Sequence, residues 1–281
     1  MKLQVIHTGN FKLDGGAMFG VIPKVIWNTL CPADDKNLCN WAMRCLLVED
    51  GDRKILIDTG IGNKQSEKFF GYYYLNSNNS IASSLNNAGI SPEDITDVLL
   101  THLHFDHVGG AVTKMADGTL IPTFPRATYH VTETQWNHAC NPNAREKASF
   151  LPEDFLPLQD CKVLNFVQHG DCLTPNFKIR SLNGHTMGMI TPEISYNGKT
   201  VIYCADLVPS SAHIPVHYTM GYDIEPLVVM KEKEKLYAEM DEENTVYFFE
   251  HDLETECARL ARNDRGQMVA AERGNIADLL F

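Results

Sequence analysis

Between residues 97 and 110 the chain runs from an apolar, β-prone stretch, Asp97-Val98-Leu99-Leu100, through Thr101-His102-Leu103-His104-Phe105-Asp106-His107 and out into Val108-Gly109-Gly110. Three imidazoles and a carboxylate in seven residues are a density of metal-ligand chemistry that core packing does not call for. The flanks say where the cluster sits: an apolar run followed by flexible glycines places it in a loop leaving a strand end. Strand ends are where α/β folds build their sites. The run therefore constrains the chain to an α/β fold with metal-dependent hydrolase chemistry.

His102 and His104 alternate with Leu103 and can turn their rings toward one ion, whereas Asp106 and His107 follow too closely to complete the same tetrahedral set and suit a second ion. A second ion needs further ligands, and the sequence supplies them. His185 follows the strand-like run 177–182, with Gly184 allowing the backbone to bend; Asp206 ends the run 200–205 and His251 the run 245–250. An aspartate in the position of Asp206 can bridge two ions. A lone histidine is ordinarily structural, as read for His7, His130, His138, His169 and His217. Five histidines and two aspartates, each at an expected strand end, reverse that prior.

At 281 residues and 44% apolar the chain can bury one large core, and one domain over 1–281 is expected. With 24 basic against 36 acidic residues, the net charge of −12 opposes nucleic acid and anionic membrane and suits neutral small molecules. No run of about 18 apolar residues marks a membrane span, and the N-terminus lacks a signal-peptide pattern, so cytoplasm is expected. The eight cysteines contain no C-x-x-C pair and are expected to be reduced. Strands are expected at 3–7, 45–48, 54–58, 98–101, 128–131, 177–182, 200–205 and 245–250, and helices near 80–88, 132–139 and 226–240. Residues 12–28 are expected to form an apolar substrate loop and 136–158 a helical insertion.

Thr-His-Leu-His-Phe-Asp-His-Val-Gly-Gly, followed by Gly-His-Thr, Ala-Asp and Glu-His-Asp, resembles the metallo-β-lactamase superfamily over essentially the whole chain. The resemblance implies an αββα sandwich, two mixed β-sheets flanked by helices, with two divalent metal ions at one edge. Residue by residue it implies His102, His104 and His185 on the first ion, Asp106, His107 and His251 on the second, and Asp206 bridging. Asp58, in Ile57-Asp58-Thr59-Gly60, matches the carboxylate that orients a ligand histidine. Zinc is expected, with manganese, iron or cobalt also suited to a mixed His/Asp set.

Within the superfamily, class B β-lactamases carry cysteine where this chain has Asp206, and the flavodiiron branch alters the His-x-His-x-Asp-His run. The stretch 14–24 and the ending Phe249-Glu250-His251-Asp252 are most similar to quorum-quenching N-acyl-homoserine-lactone lactonases. That resemblance implies lactone opening by a metal-bridging hydroxide, with Asp106 shuttling a proton to the leaving alkoxide. Several such lactonases place a tyrosine three residues after the bridging aspartate, where this chain has Pro209; His213, Tyr218 and Tyr222 are the candidate replacement donors, His213 first.

Met18, Phe19, Val21, Ile22 and Trp27 offer apolar surface for an acyl chain, and Tyr222 is grouped with them as a substrate contact. The same surface suits a homodimer contact. Competing activities are a phosphotriesterase resembling methyl parathion hydrolase and a glyoxalase II type thioesterase; a non-catalytic metal-binding scaffold is the reading from another class. A Gly-x-Ser-x-Gly elbow is absent from the sequence, so covalent catalysis has little support.

Overall fold

The computed structural model describes residues 1–280. The chain divides into two compact units, one of Met1–Phe11, Met43–Asp171 and Gly188–Ile190, the other of Lys12–Ala42, Cys172–Met187 and Thr191–Phe281. The expected α/β class is borne out: mixed sheets and helices make up both.

A six-stranded sheet, most of whose residues belong to the first unit, runs in the spatial order Lys2–Asp14, Leu38–Asp50, Arg53–Ile57, Asp97–Leu99, Thr128–Thr132, Leu164–Val167. Leu38–Asp50 and Arg53–Ile57 form an antiparallel hairpin; from Arg53–Ile57 onward the neighbours are parallel. Parallel strands covered on both sides read as continuous apolar runs. Ile55, Leu56 and Ile57, and Val98, Leu99 and Leu100, are all fully buried. Helices Ile81–Asn87 and Pro152–Asp160 contribute Leu85, Phe155 and Leu158 to the same apolar cluster as Leu56, Val98 and Tyr129.

The second unit carries a seven-stranded sheet in the order Met268–Gly274, Cys257–Arg262, Thr245–Phe248, Lys199–Tyr203, Glu193–Tyr196, Phe177–Lys178, Cys172–Thr174. Lys199–Tyr203 and Thr245–Phe248 are its parallel pair, so both end on the same side of the sheet. The 14-residue helix Pro226–Glu239 starts at a proline in the first turn and buries Val229, Leu236 and Tyr237.

The expected strand over 177–182 is broken in the middle: only Phe177–Lys178 and Ser181–Leu182 are extended and paired. Arg180, at the break, binds Glu193 and Glu239 through its guanidinium. The strand expected at 200–205 ends at Tyr203, because Ala205 adopts φ +45 and opens a 3₁₀ turn over Ala205–Leu207. Residues 12–28 hold two short helices, Gly15–Phe19 and Lys24–Trp27, the first capped by Asp14 accepting from the Ala17 amide at 2.9 Å. Within 136–158 lie the end of helix Glu133–Cys140 and the start of Pro152–Asp160. None of the helices among the described residues is long and apolar enough to cross a membrane.

Candidate metal centre

In the first unit the chain leaves the strand Asp97–Leu99 directly into the histidine run, and one carboxylate holds the exit. Asp58 Oδ1 accepts from the Thr101 amide at 2.7 Å and Oδ2 from Thr101 Oγ1 at 2.7 Å. The same Oδ2 lies 3.1 Å from His107 Nδ1, and Thr101 Oγ1 is 3.1 Å from His102 Nδ1. Asp58 is fully buried and sits at φ +58, a costly conformation for a residue with a Cβ. Asp58 thus contacts His107 directly and reaches His102 through Thr101.

His104 stands at the head of the short helix Phe105–Val108, which carries Asp106 and His107 in one turn. The turn is clamped by the Thr59 amide and hydroxyl, both donating to the His107 carbonyl at 2.8 and 2.9 Å. Gly109 and Gly110 make that clamp sterically feasible, since a Cβ on either would stand 2.2 Å from the Ile61 carbonyl oxygen or 2.3 Å from that of Thr59. The rings gather accordingly: His102 lies 3.9 Å from His107 and 4.6 Å from His104 by centroid, and His107 Nε2 is 3.7 Å from Asp106 Oδ2. His102, His104, Asp106 and His107 are all buried.

The donor set of the second unit is built on three loops. His185 is aimed by a bend in which Glu232 accepts the Asn183 and Gly184 amides at 2.7 and 3.1 Å. Its Nδ1 lies 2.9 Å from Asp223 Oδ1, leaving Nε2 3.1 Å from Asp206 Oδ2. His251 follows the strand Thr245–Phe248; its Nδ1 donates to the Ala42 carbonyl at 2.8 Å and its Nε2 is 3.2 Å from Asp206 Oδ1. Pro209 takes part through its backbone, accepting from the His251 amide at 3.0 Å.

This chemistry fits metal. His107, His185 and His251 each present Nδ1 to a carboxylate or carbonyl oxygen, which fixes the tautomer and leaves Nε2 as the donor. The two oxygens of Asp206 face different imidazoles, so the carboxylate could share in holding a cation at either. Burial works against a charged ring at His185, yet Asp206 and Asp223 outweigh it and lift the group to about 10. A cation held at Nε2 would take the place of that proton.

The remaining expected site residues lie as follows. His213 is fully buried, with Ser210 Oγ 2.7 Å from Nδ1 and the Met18 carbonyl 2.9 Å from Nε2. Both ring nitrogens are thereby engaged, and burial together with the nearby Lys233 charge lowers the group to about 3. Its placement is that of a neutral packing element, which is not what a donor to substrate requires. Phe19 stacks on His213 at 4.6 Å and on Trp27 at 5.3 Å, and Met18, Phe19 and Trp27 are 1, 0 and 2% exposed. Ile22 is half-buried and Tyr222 is exposed at the surface, while Val21, Val25 and Ile26 carry the open apolar surface of 12–28.

Two features escaped the sequence reading. Asp223 has no local signature, being a loop aspartate far along the chain from His185. Phe69 and Tyr73 pack on Phe105 at 5.3 and 4.6 Å, an aromatic patch beside Asp106; burial, with Asp106 adding, raises the Tyr73 hydroxyl to about 12. Their spacing on the helix Glu67–Tyr73 was the available signal.

Residues 44–116 match the model of the Metallo-beta-lactamase superfamily. A protein named N-acyl homoserine lactonase from a Bacillus species is 26% identical over 272 residues, covering 91% of this chain and 94% of that protein. The crystal structure of a probable metal-dependent hydrolase from Staphylococcus aureus matches with a TM-score of 0.87 at 26% identity, covering 96% of this chain and 97% of that one. AidC, described as a dizinc quorum-quenching lactonase in complex with its product, matches in fold with a TM-score of 0.77 at 21% identity, covering 97% and 95%.

Proposed function

We propose that this chain, whose residues 44–116 match the model of the metallo-β-lactamase superfamily, is a dinuclear metal-dependent hydrolase that opens the lactone ring of N-acyl-homoserine lactones. We read His102, His104 and His185 as the ligands of one ion, Asp106, His107 and His251 as those of the other, and Asp206 as shared, as the resemblance to the superfamily implies. The observation that carries this reading is Asp206, one carboxylate oxygen 3.1 Å from His185 and the other 3.2 Å from His251. Zinc is the metal we expect, as AidC is named a dizinc enzyme.

When bound, the two cations supply a Lewis acid for the carbonyl and make water acidic enough to act as nucleophile near neutral pH. The chain's own residues do the rest. Asp58 and Asp223 fix the ring orientations of His107 and His185, so the donor geometry is set before substrate arrives. Asp106, on the first turn of its helix, carries the proton to the leaving alkoxide. Phe69, Tyr73 and Phe105 supply aromatic surface for the acyl chain; Ile22 and Tyr222 are kept as substrate contacts, while the buried Met18, Phe19 and Trp27 serve as packing. The net charge of −12 suits an uncharged substrate.

Proton release by the metal-loaded protein tests the reading against a panel of short- and long-chain N-acyl-homoserine lactones, an aryl dialkyl phosphate and a thioester. Turnover of the lactones well above that of the other two is the expected result. Preference for the phosphotriester or thioester would reassign the substrate, and no turnover on any of the three would leave a metal-binding scaffold.

A further inference from the structure

We propose that Cys31 and Cys39 are a thiol pair that closes to an intramolecular disulfide, making the 31–39 turn a site of reversible oxidation. Cys39 Sγ donates to the Cys31 carbonyl at 3.3 Å, which holds the two cysteines side by side. The turn between them is held shut. The Asp34 amide donates to the Leu38 carbonyl and the Asn37 amide to the Asp34 carbonyl, both at 2.9 Å. Asp34 Oδ1 also accepts the Lys36 and Leu38 amides at 2.9 and 3.0 Å, and Oδ2 takes the Lys12 ammonium at 2.8 Å. A closed turn holds its two ends together before any bond forms, so little chain entropy remains to be lost on cross-linking.

Access and reactivity divide between the two. Cys31 is half-buried and lines a cavity of about 270 Å³ together with Trp41, Ser211 and Asp252, whereas Cys39 is fully buried. The neighbouring Cys31 thiol favours the thiolate of Cys39, while Cys39 and burial push Cys31 up. The oxidant is a low-molecular-weight disulfide, RSSR. Cys31 passes its proton to the Cys39 sulfur as it attacks RSSR, forming a mixed disulfide and releasing one RS⁻; that RS⁻ takes the proton from Cys39, which attacks the Cys31 sulfur and releases the second RS⁻. Overall two protein thiols are oxidised by two electrons and RSSR is reduced to two RSH, the two thiol protons ending on the released thiolates.

The bond would tie down the neighbouring helix Gly15–Phe19. The Gly15 amide donates to the Asn37 carbonyl at 2.8 Å, and Trp27 and Cys39 crowd the same face of Gly15, where a Cβ would stand 2.4 Å from the indole and 2.9 Å from Sγ. Trp27 is therefore a reporter of the pair.

The test treats the whole protein with oxidised glutathione and maps it by non-reducing tryptic digestion. The expected product links peptide 25–36 to peptide 37–44 with a net loss of two hydrogens, lowers tryptophan fluorescence, and reverts with dithiothreitol. Cys39→Ser is expected to stop with glutathione on Cys31, and Cys31→Ser, at the more exposed position, to give neither product while keeping its circular dichroism. Wild-type protein that keeps both thiols free, stops at the Cys31 mixed disulfide, or links either cysteine to another partner would overturn the proposal.

Discussion

His185 Nδ1 stands 2.9 Å from Asp223 Oδ1, and the other oxygen of that carboxylate accepts the Met220 amide at 2.7 Å. A carboxylate tied at one oxygen to its own loop and at the other to an imidazole holds the ring at a fixed angle. Partners of this kind typically matter 10- to 100-fold in metal affinity. Asp223→Asn is accordingly expected to weaken metal binding by about 10- to 100-fold with the fold retained. Competition with a chromogenic chelator measures this; unchanged affinity would remove Asp223 from the metal-holding set.

Two buried carboxylates give the protein opposite responses to acid. Burial works to raise Asp97, but His130, Arg53 and Thr96 outweigh it and hold the carboxyl well below the usual range. Its folded-state value is depressed, so its stabilisation is present above about pH 4, the unfolded value, and is lost as pH falls through the folded one. Asp154 is the reverse: burial raises it to about 6 despite its 2.8 Å bridge to Lys64. That group favours the folded state less and less as pH climbs from about 4 to 6. Urea unfolding from pH 3 to 7 should show Asp97→Asn with a flatter acid limb and a loss of about 2 kcal/mol at pH 7. Asp154→Asn should lose the decline between pH 4 and 6, and the same slopes in the variants as in the wild type would contradict both assignments.

His213 is expected to act on stability rather than on metal. The ring fills a slot between Phe19 and the Ser210 and Met18 hydrogen bonds, and Lys233 donates to the His213 carbonyl at 2.8 Å. His213→Ala removes a buried ring and should cost about 2–4 kcal/mol, read as a lower unfolding midpoint, with metal content unchanged. A variant of wild-type stability whose only defect is turnover would restore His213 as a substrate donor.

The donors were legible because they are unusual residue types at telling places. Imidazoles and carboxylates crowd into 102–107, and His185, Asp206 and His251 each follow an apolar run. The α/β class was legible from the same runs, Ile55–Ile57 and Val98–Leu100 being as buried as continuous apolar stretches suggest. What escaped was decided by tertiary packing. Ser210-Ser211-Ala212-His213 announces a polar loop close to Asp206 in sequence, but which way the ring turns is set by Phe19 and the Met18 carbonyl, nearly two hundred positions away. The apolar content of 12–28 was visible, yet no periodicity tells that Phe19 and Trp27 stack inward while Val21 and Val25 stay in solvent. The break at Arg180 likewise depends on Glu193 and Glu239, distant partners that no local pattern names.

Whether Asp206 joins two metal ions through its two oxygens is decided by counting metal. Elemental analysis of the wild-type protein and of Asp206→Asn, each loaded with zinc and freed of excess, should find two ions per chain in the first and at most one in the second. A wild type that holds one ion or none, or an Asp206→Asn variant that keeps both with undiminished affinity, would contradict the dinuclear account.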